Sequence, residues 1–320
     1  MNVSSRLAAV GLVALAAVNV FLVAAALRST HATATDSGSV SSAATSAAAS
    51  GGDSAGSSST PTVSPSATPT GTTTAGETPA VPLQVMLEAL DDQHAWRVGA
   101  GSCADGGATL ATTSDGGKTW VDIKAPLRAI VRVRPADARS AFVVGAGPRC
   151  LAELKSTTNG GGVWGSTSTV GSAWFRDPTD PTAVQAPGSS TSQPCAGRDV
   201  LDLAVLSSTT ARVLCADGLV RESTDKGSSW ADSGQVSGAV ALAVRSASPA
   251  QTYVARLGAP DCAGVQIERV DQSVGTSCIA TELPKDPGQI ALSLVSGGGW
   301  LAIGDTTMRS TDDLATWTVS

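Results

Sequence analysis

The chain has 320 residues and a formal net charge of −6, with only 15% charged and 3% aromatic side chains, while 34 Gly and 16 Pro break it throughout. The acidic balance argues against a nucleic-acid partner, which needs basic surface to displace counterions. Two histidines in the whole chain leave no material for a His-rich metal centre, and no cofactor motif is present.

Length alone would suggest about two domains, but composition divides the chain differently. Leu7 to Leu27 is an uncharged apolar run of 21 residues between Arg6 and Arg28. As a helix it would rise about 31 Å, enough to cross a hydrocarbon core of roughly 30 Å. Residues 1–28 are therefore expected to form a transmembrane anchor that places the rest of the chain outside the cell membrane. The alternative is a signal segment cleaved near Ala34, where Ala32-Thr33-Ala34 offers a small-residue site. The 16 Arg against 5 Lys, with the Ala/Gly/Thr bias, fit an exported protein of a GC-rich bacterium.

Residues 29–82 are Ser, Thr, Ala, Gly or Pro at all but seven positions. Such a segment cannot bury enough apolar area to offset its ordering entropy, so a disordered, stalk-like linker is expected. Its Thr/Pro-rich half resembles O-glycosylated stalks. Residues 83–320 hold all six cysteines and all seven tryptophans, and constitute the folded unit.

Within that unit an apolar alternating run, a polar turn and a short strand opening on a large side chain recur. The pairs are QVMLEAL before Trp96, AIVRVRP before Phe142, VLDLAVL before Val213, VALAVRS before Tyr253 and IALSLVS before Trp300. Trp174 opens a sixth such strand without a clear run before it. Downstream, four segments share a hydroxyl residue, an acid or amide two positions later, Gly two further on and Trp three beyond that. They centre on Asp115, Gly117 and Trp120; Asn159, Gly161 and Trp164; Asp225, Gly227 and Trp230; and Asp312 and Trp317, with Leu314 in place of the last Gly. A short acid or amide accepts N–H groups inside its own turn, Gly permits positive φ, and Trp anchors the turn between sheets. Asp271 falls where a fifth, decayed copy would lie.

This pattern resembles the Asp box, or bacterial neuraminidase repeat, of sialidase-like β-propellers, where the box joins the third and fourth strands of a blade. The resemblance implies an all-β propeller of five or six blades, six preferred, with four-stranded antiparallel blades. We count five full blades and one abbreviated blade.

Six cysteines allow fifteen pairings. Cys103, Cys150, Cys215 and Cys262 precede their box acids by 12, 9, 10 and 9 residues and so share one place in the repeat. The expected bonds are Cys195–Cys215 and Cys262–Cys278 within short loops, leaving Cys103–Cys150 between neighbouring blades.

Sialidases of this superfamily use a Tyr nucleophile with a Glu partner, an acid and three Arg. Here the single tyrosine, Tyr253, sits at a core-facing repeat position, and no matching Arg signature precedes the first box. Arg128, Arg132 and Arg134 alternate along a strand and are read as a solvated face rather than a channel lining. His94 lies in the turn Asp91-Asp92-Gln93-His94 and is read as exposed rather than as a catalytic base. A polar central pocket with clustered acids and arginines would overturn the non-enzymatic reading. The chain is similar to non-catalytic propellers of the photosystem II assembly-factor-like and sortilin types. That similarity implies a non-enzymatic extracytoplasmic binding or scaffolding role toward a cell-envelope protein or peptide. The alternative is an envelope lectin or glycoside hydrolase, for which Trp174 and Phe175 are the spare aromatic residues. No catalytic, cofactor or metal residue is assigned.

Overall fold

A computed structural model describes residues 82–165, 170–188, 190–272 and 274–320. The apolar segment Leu7–Leu27, the cleavage site near Ala34 and the linker up to Val81 lie outside the described residues. Among the described residues, no helix is long and apolar enough to cross a membrane.

Six antiparallel sheets follow one another along the chain. Blade 1 comprises β1 (Val85–Ala89), β2 (Ala95–Gly99), β3 (Thr109–Thr113) and β4 (Val121–Ile123). Blade 2 comprises β5 (Ala129–Pro135), β6 (Ala141–Ala146) and β7 (Ala152–Thr157), and blade 3 comprises β8 (Phe175–Arg176), β9 (Val184–Ala186) and β10 (Ser190–Ser192). Blade 4 is β11 (Val200–Val205), β12 (Ala211–Cys215), β13 (Leu219–Ser223) and β14 (Ala231–Gln235). Blade 5 is β15 (Ala239–Arg245), β16 (Gln251–Arg256), β17 (Gly264–Arg269) and β18 (Val274–Ala280). Blade 6 is β19 (Ile290–Val295), β20 (Gly298–Ile303), β21 (Thr306–Ser310) and β22 (Thr318–Val319). Helix is confined to two single 3₁₀ turns among the described residues.

The first strand of each blade packs on that of the next, and β1 packs on β19, so the ring closes. The result is a six-bladed β-propeller. All five apolar alternating runs became innermost strands, because their branched side chains can be covered on both faces by neighbouring blades. Four blades show four strands and two show three among the described residues; in blade 2 the segment that follows the repeat turn includes residues 166–169, which lie outside the described residues.

Blade 3 is the abbreviated one, and the strand it lacks is the innermost. The Trp174 indole N–H donates to the Ser207 carbonyl in the first turn of blade 4, just as Trp300 donates to the Asp91 carbonyl in the first turn of blade 1. Trp300 opens a second strand, so β8 is also a second strand, exposed to the axis because no described strand precedes it. This accounts for the spacing of the repeats: Asn159 and Asp225 are 66 residues apart across two blades, while Asp225 and Asp312 are 87 apart across two complete ones.

The four repeat turns share one geometry. The Thr113 hydroxyl donates to Asp115 Oδ1 (2.8 Å) and accepts the Gly117 N–H (2.9 Å), while Asp115 Oδ1 also accepts the Thr119 N–H (3.0 Å). The same three bonds recur around Asn159, Asp225 and Asp312. Where the central residue is Asp, its second oxygen accepts the hydroxyl of Thr119, Ser229 or Thr316. Where it is Asn159, that later position is Val163, which has no hydroxyl to offer. The residue after each acid or amide donates its N–H to the first turn of its own blade: Gly116 to Gln93, Gly160 to Arg139, Lys226 to Thr209 and Asp313 to Gly297. Each such turn therefore locks the two hairpins on one face of the ring, here termed the turn face. Asp271 does lie in the matching β17–β18 turn, but it is held by Arg269 in a two-point ion pair instead.

All three disulfides form as expected, with Cα–Cα distances of 5.5, 5.5 and 5.6 Å for Cys103–Cys150, Cys195–Cys215 and Cys262–Cys278. Cys103–Cys150 joins blades 1 and 2 through their second-to-third-strand loops, on the face opposite the turns.

Candidate functional site

The innermost strands enclose an axial cavity of about 550 Å³. At the face opposite the turns it is closed by the chain's approach to β1. Leu83 donates its N–H to Leu201 O, and Arg176 donates to the carbonyls of Leu201 and Leu83. Arg176 reaches this floor because blade 3 supplies no inner strand to stand in its way. The other end opens on the turn face between Leu90, Pro135, Leu206, Ser246, Ala247 and Ser296. The cavity is thus a cup.

Register places two rings of side chains on its wall. Glu88, Arg134, Ala204, Ala243 and Ser293 stand opposite Trp96, Phe142, Arg212, Tyr253 and Trp300 of the second strands, and so form one ring. Val213 was expected to hold that second-strand position in blade 4; Arg212 holds it. Two residues deeper, Met86, Arg132, Asp202 and Ala291 line the cup.

Most of these charges have fixed partners. Asp202 accepts the Leu203 N–H on one oxygen and the Leu242 N–H on the other (both 2.7 Å), which stitches β11 to β15. Burial still pushes its carboxyl up, against the pull of Arg176. Arg132 donates to the Trp174 carbonyl (2.5 Å), spanning blades 2 and 3, and burial lowers its guanidinium to about 10. Arg245 pairs with Asp313 of blade 6 (2.5 Å) and lies over the Tyr253 ring at 5.3 Å. Glu88 and Arg134 make no hydrogen bond or ion pair with the described residues. Burial raises the Glu88 carboxyl to about 7, with Arg134 and Arg132 pulling it down and Asp202 adding to the rise.

The solvated-face reading stands for Arg134, which is exposed, and is corrected for Arg132, which is half-buried in the cup wall, though both line the cup. Arg128 does not; it donates to the Cys103 and Ala104 carbonyls on the opposite face. Trp174 and Phe175 are 1% and 2% exposed, so neither offers the open aromatic surface expected of a sugar platform. The Trp174 ring is occupied by Trp230, and Phe175 walls a smaller cleft of about 230 Å³ with Val170, Gln185 and Ala186. His94 sits half-exposed in the first turn of blade 1, its Nδ1 3.0 Å from Asp91. Burial raises the Asp91 carboxyl, but hydrogen bonds from Gln93 and His94 outweigh it and leave it low. Tyr253 is buried under Arg245, its hydroxyl 3.3 Å from Gln251 Oε1. No group of three or more His, Cys, Asp or Glu among the described residues is placed to hold a metal.

No family model and no curated protein matches this chain. Solved structures show likeness of fold at low identity. YCF48 bound to a D1 peptide covers 77% of this chain and 85% of its own, at 16% identity and a TM-score of 0.29. The SapL1 lectin in complex with α-methyl fucoside covers 77% and 98%, at 13% identity and 0.44. The GH74 xyloglucanase from Xanthomonas campestris covers 73% and 37%, at 17% identity and 0.30.

The sequence reading missed Glu88 and Asp202. Their signal was present: each is an acid set inside an otherwise apolar alternating run, at a phase that carries Ala or Ser in other blades.

Proposed function

We propose that this chain is a non-enzymatic binding propeller, carried outside the cytoplasm on an N-terminal anchor and stalk, that docks a protein or peptide on its turn face around the mouth of the cup. The four repeat turns are read as Asp boxes, and their work is to hold that face rigid. The cup does gather Glu88, Asp202 and several arginines on the axis, the arrangement that would favour an enzyme; the observation on which the binding reading is kept is the commitment of Asp202. Glycoside hydrolysis generally needs two carboxylates able to exchange protons or attack, and both Asp202 oxygens are engaged by backbone N–H groups. Glu88 is left as the one uncommitted carboxylate of the cup. The burial of Tyr253, Trp174 and Phe175 also weakens the sialidase and lectin alternatives. Three disulfides suit an oxidising compartment, and Leu7–Leu27 has the length and apolarity of an anchor.

The test is a panel of chromogenic glycosides run beside in-cell crosslinking. The proposal expects no turnover, with the same protein partner recovered from wild type and from Glu88→Gln. Turnover that Glu88→Gln removes would overturn it.

A further inference from the structure

Glu88 and Arg134 are adjacent, oppositely charged and not paired with each other. They hold the same ring position on β1 and β5, which pack directly. The other charges of the cup each have a carbonyl, an N–H or a counter-ion, although Arg245 pairs with Asp313 through Nη1 alone and keeps its Nε and Nη2 unpartnered under the mouth. The remaining positions of that ring are Ala204, Ala243 and Ser293, which leave open volume in front of the two charged groups. The Ser293 hydroxyl accepts the Ala89 N–H (3.0 Å) and keeps its own proton to donate. A carboxylate enclosed by protein is costly until a cation meets it, so a ligand that supplies the cation gains what the fold has left unmade. At about 550 Å³ the cup lies within the roughly 300–1,000 Å³ of small-molecule sites.

We infer that the cup is a binding site for a small zwitterion, a free amino acid or short peptide, whose ammonium group meets Glu88 and whose carboxylate meets Arg134 and the Ser293 hydroxyl. Each half of the ligand answers one uncommitted group, so a ligand with only one of the two charges satisfies half of the site. This site lies inside the cup and is independent of partner docking on the turn face.

Proton binding gives a second readout. The charged groups facing Glu88 are Arg132 and Arg134 from β5 and Asp202 from β11. From β19 only the Ser293 hydroxyl faces it, and Arg97 of β2 is turned away toward Gly304 and Asp305. Binding an ammonium requires Glu88 ionised, so affinity should fall as pH drops below about 7.

The experiment is titration calorimetry on the full chain with the free amino acids and with Ala-Ala, N-acetyl-Ala-Ala and Ala-Ala amide. The inference expects saturable binding of at least one zwitterion, tenfold or more weaker binding of both blocked dipeptides when Ala-Ala binds, and loss of affinity at low pH. Glu88→Gln should abolish that pH dependence and the preference for a free ammonium group. Arg134→Gln should abolish the preference for a free carboxylate and, because Arg134 holds the Glu88 carboxyl down, move the loss of affinity to higher pH while keeping the preference for a free ammonium group. Circular dichroism checks that both variants fold. No binding of any zwitterion, or binding that neither substitution changes, would overturn the inference while leaving the crosslinking result unaffected.

Discussion

Trp174 of blade 3 meets Trp230 of blade 4 edge to face, with ring centroids 6.0 Å apart and planes at 75°. The same contact joins Trp96 of blade 1 to Trp164 of blade 2 at 6.4 Å, and Trp300 of blade 6 to Trp120 of blade 1 at 6.3 Å. In each case the Trp that ends one blade's repeat turn packs on the Trp that opens the second strand of the preceding blade. Three of the six blade interfaces therefore carry one aromatic joint. Trp174→Ala removes a fully buried ring together with its hydrogen bond to Ser207. We expect a loss of about 3–5 kcal/mol, measured by denaturant unfolding, and no change in glycan binding.

Leu314 tests which of two effects controls a repeat turn. It stands at φ 71° where the other turns have Gly, yet it is 0% exposed and packs in the main core cluster. Leu314→Gly relieves left-handed strain of about 1–2 kcal/mol but forfeits burial worth about 1.5–3 kcal/mol and opens a cavity. The net expectation is destabilisation by about 1–3 kcal/mol, visible as a lower denaturant midpoint. A more stable variant would show that strain outweighs packing here.

The acids of the turns set an acid limit. Hydrogen bonds from Thr119 and then Thr113 hold Asp115 at about 2, and those from Thr316 and Ser310 hold Asp312 at about 2, below the ordinary 3.8. Their folded-state values are depressed, so the stability they contribute is present above about 3.8 and lost as pH falls toward 2. Asp115→Asn keeps one accepting oxygen, as Asn159 does naturally, but replaces the carboxylate oxygen that accepts the Thr119 hydroxyl with an amide NH2, which removes both the charge-assisted bond and the titrating group. It should flatten the acid limb of a plot of melting temperature against pH, and an unchanged limb would count against this account.

Glu88 runs in the opposite sense. Its carboxyl is raised from 4.5 to about 7 in the folded protein, so the native state holds its proton longer than the unfolded chain. Its contribution to stability is fully present below about 4.5 and is lost as pH rises through about 7. Glu88→Gln should remove that decline and raise stability at neutral pH by on the order of 2–3 kcal/mol, read as a flatter pH–stability curve in the absence of added ligand.

Much of the architecture was legible because each landmark marks one place in a repeat. The alternating runs gave the innermost strands, the four turns marked the end of the third strand in four blades, and the cysteines could be paired once their places in the blade were known. What resisted was anything that depends on the closed ring. Alternation separates the two faces of a strand but does not say which one meets the axis, so it gives no cue that Arg132 and Glu88 line the cup, and only the exposed Arg134 fits the solvated face it suggests. Trp174 looked spare because the turn that uses it, ending in Trp230, belongs to the next blade. Arg176 gave no sign of its place in the cup floor, since that follows from an inner strand that blade 3 does not show.

The central claim is that partners dock on the turn face, around the mouth of the cup. A photo-crosslinking amino acid at Ala247, exposed on that mouth, and another at Asp261, exposed on the opposite face, separate the two surfaces directly in intact cells. The account predicts one reproducible protein adduct from Ala247 and none from Asp261. An adduct from Asp261 with none from Ala247 would contradict it.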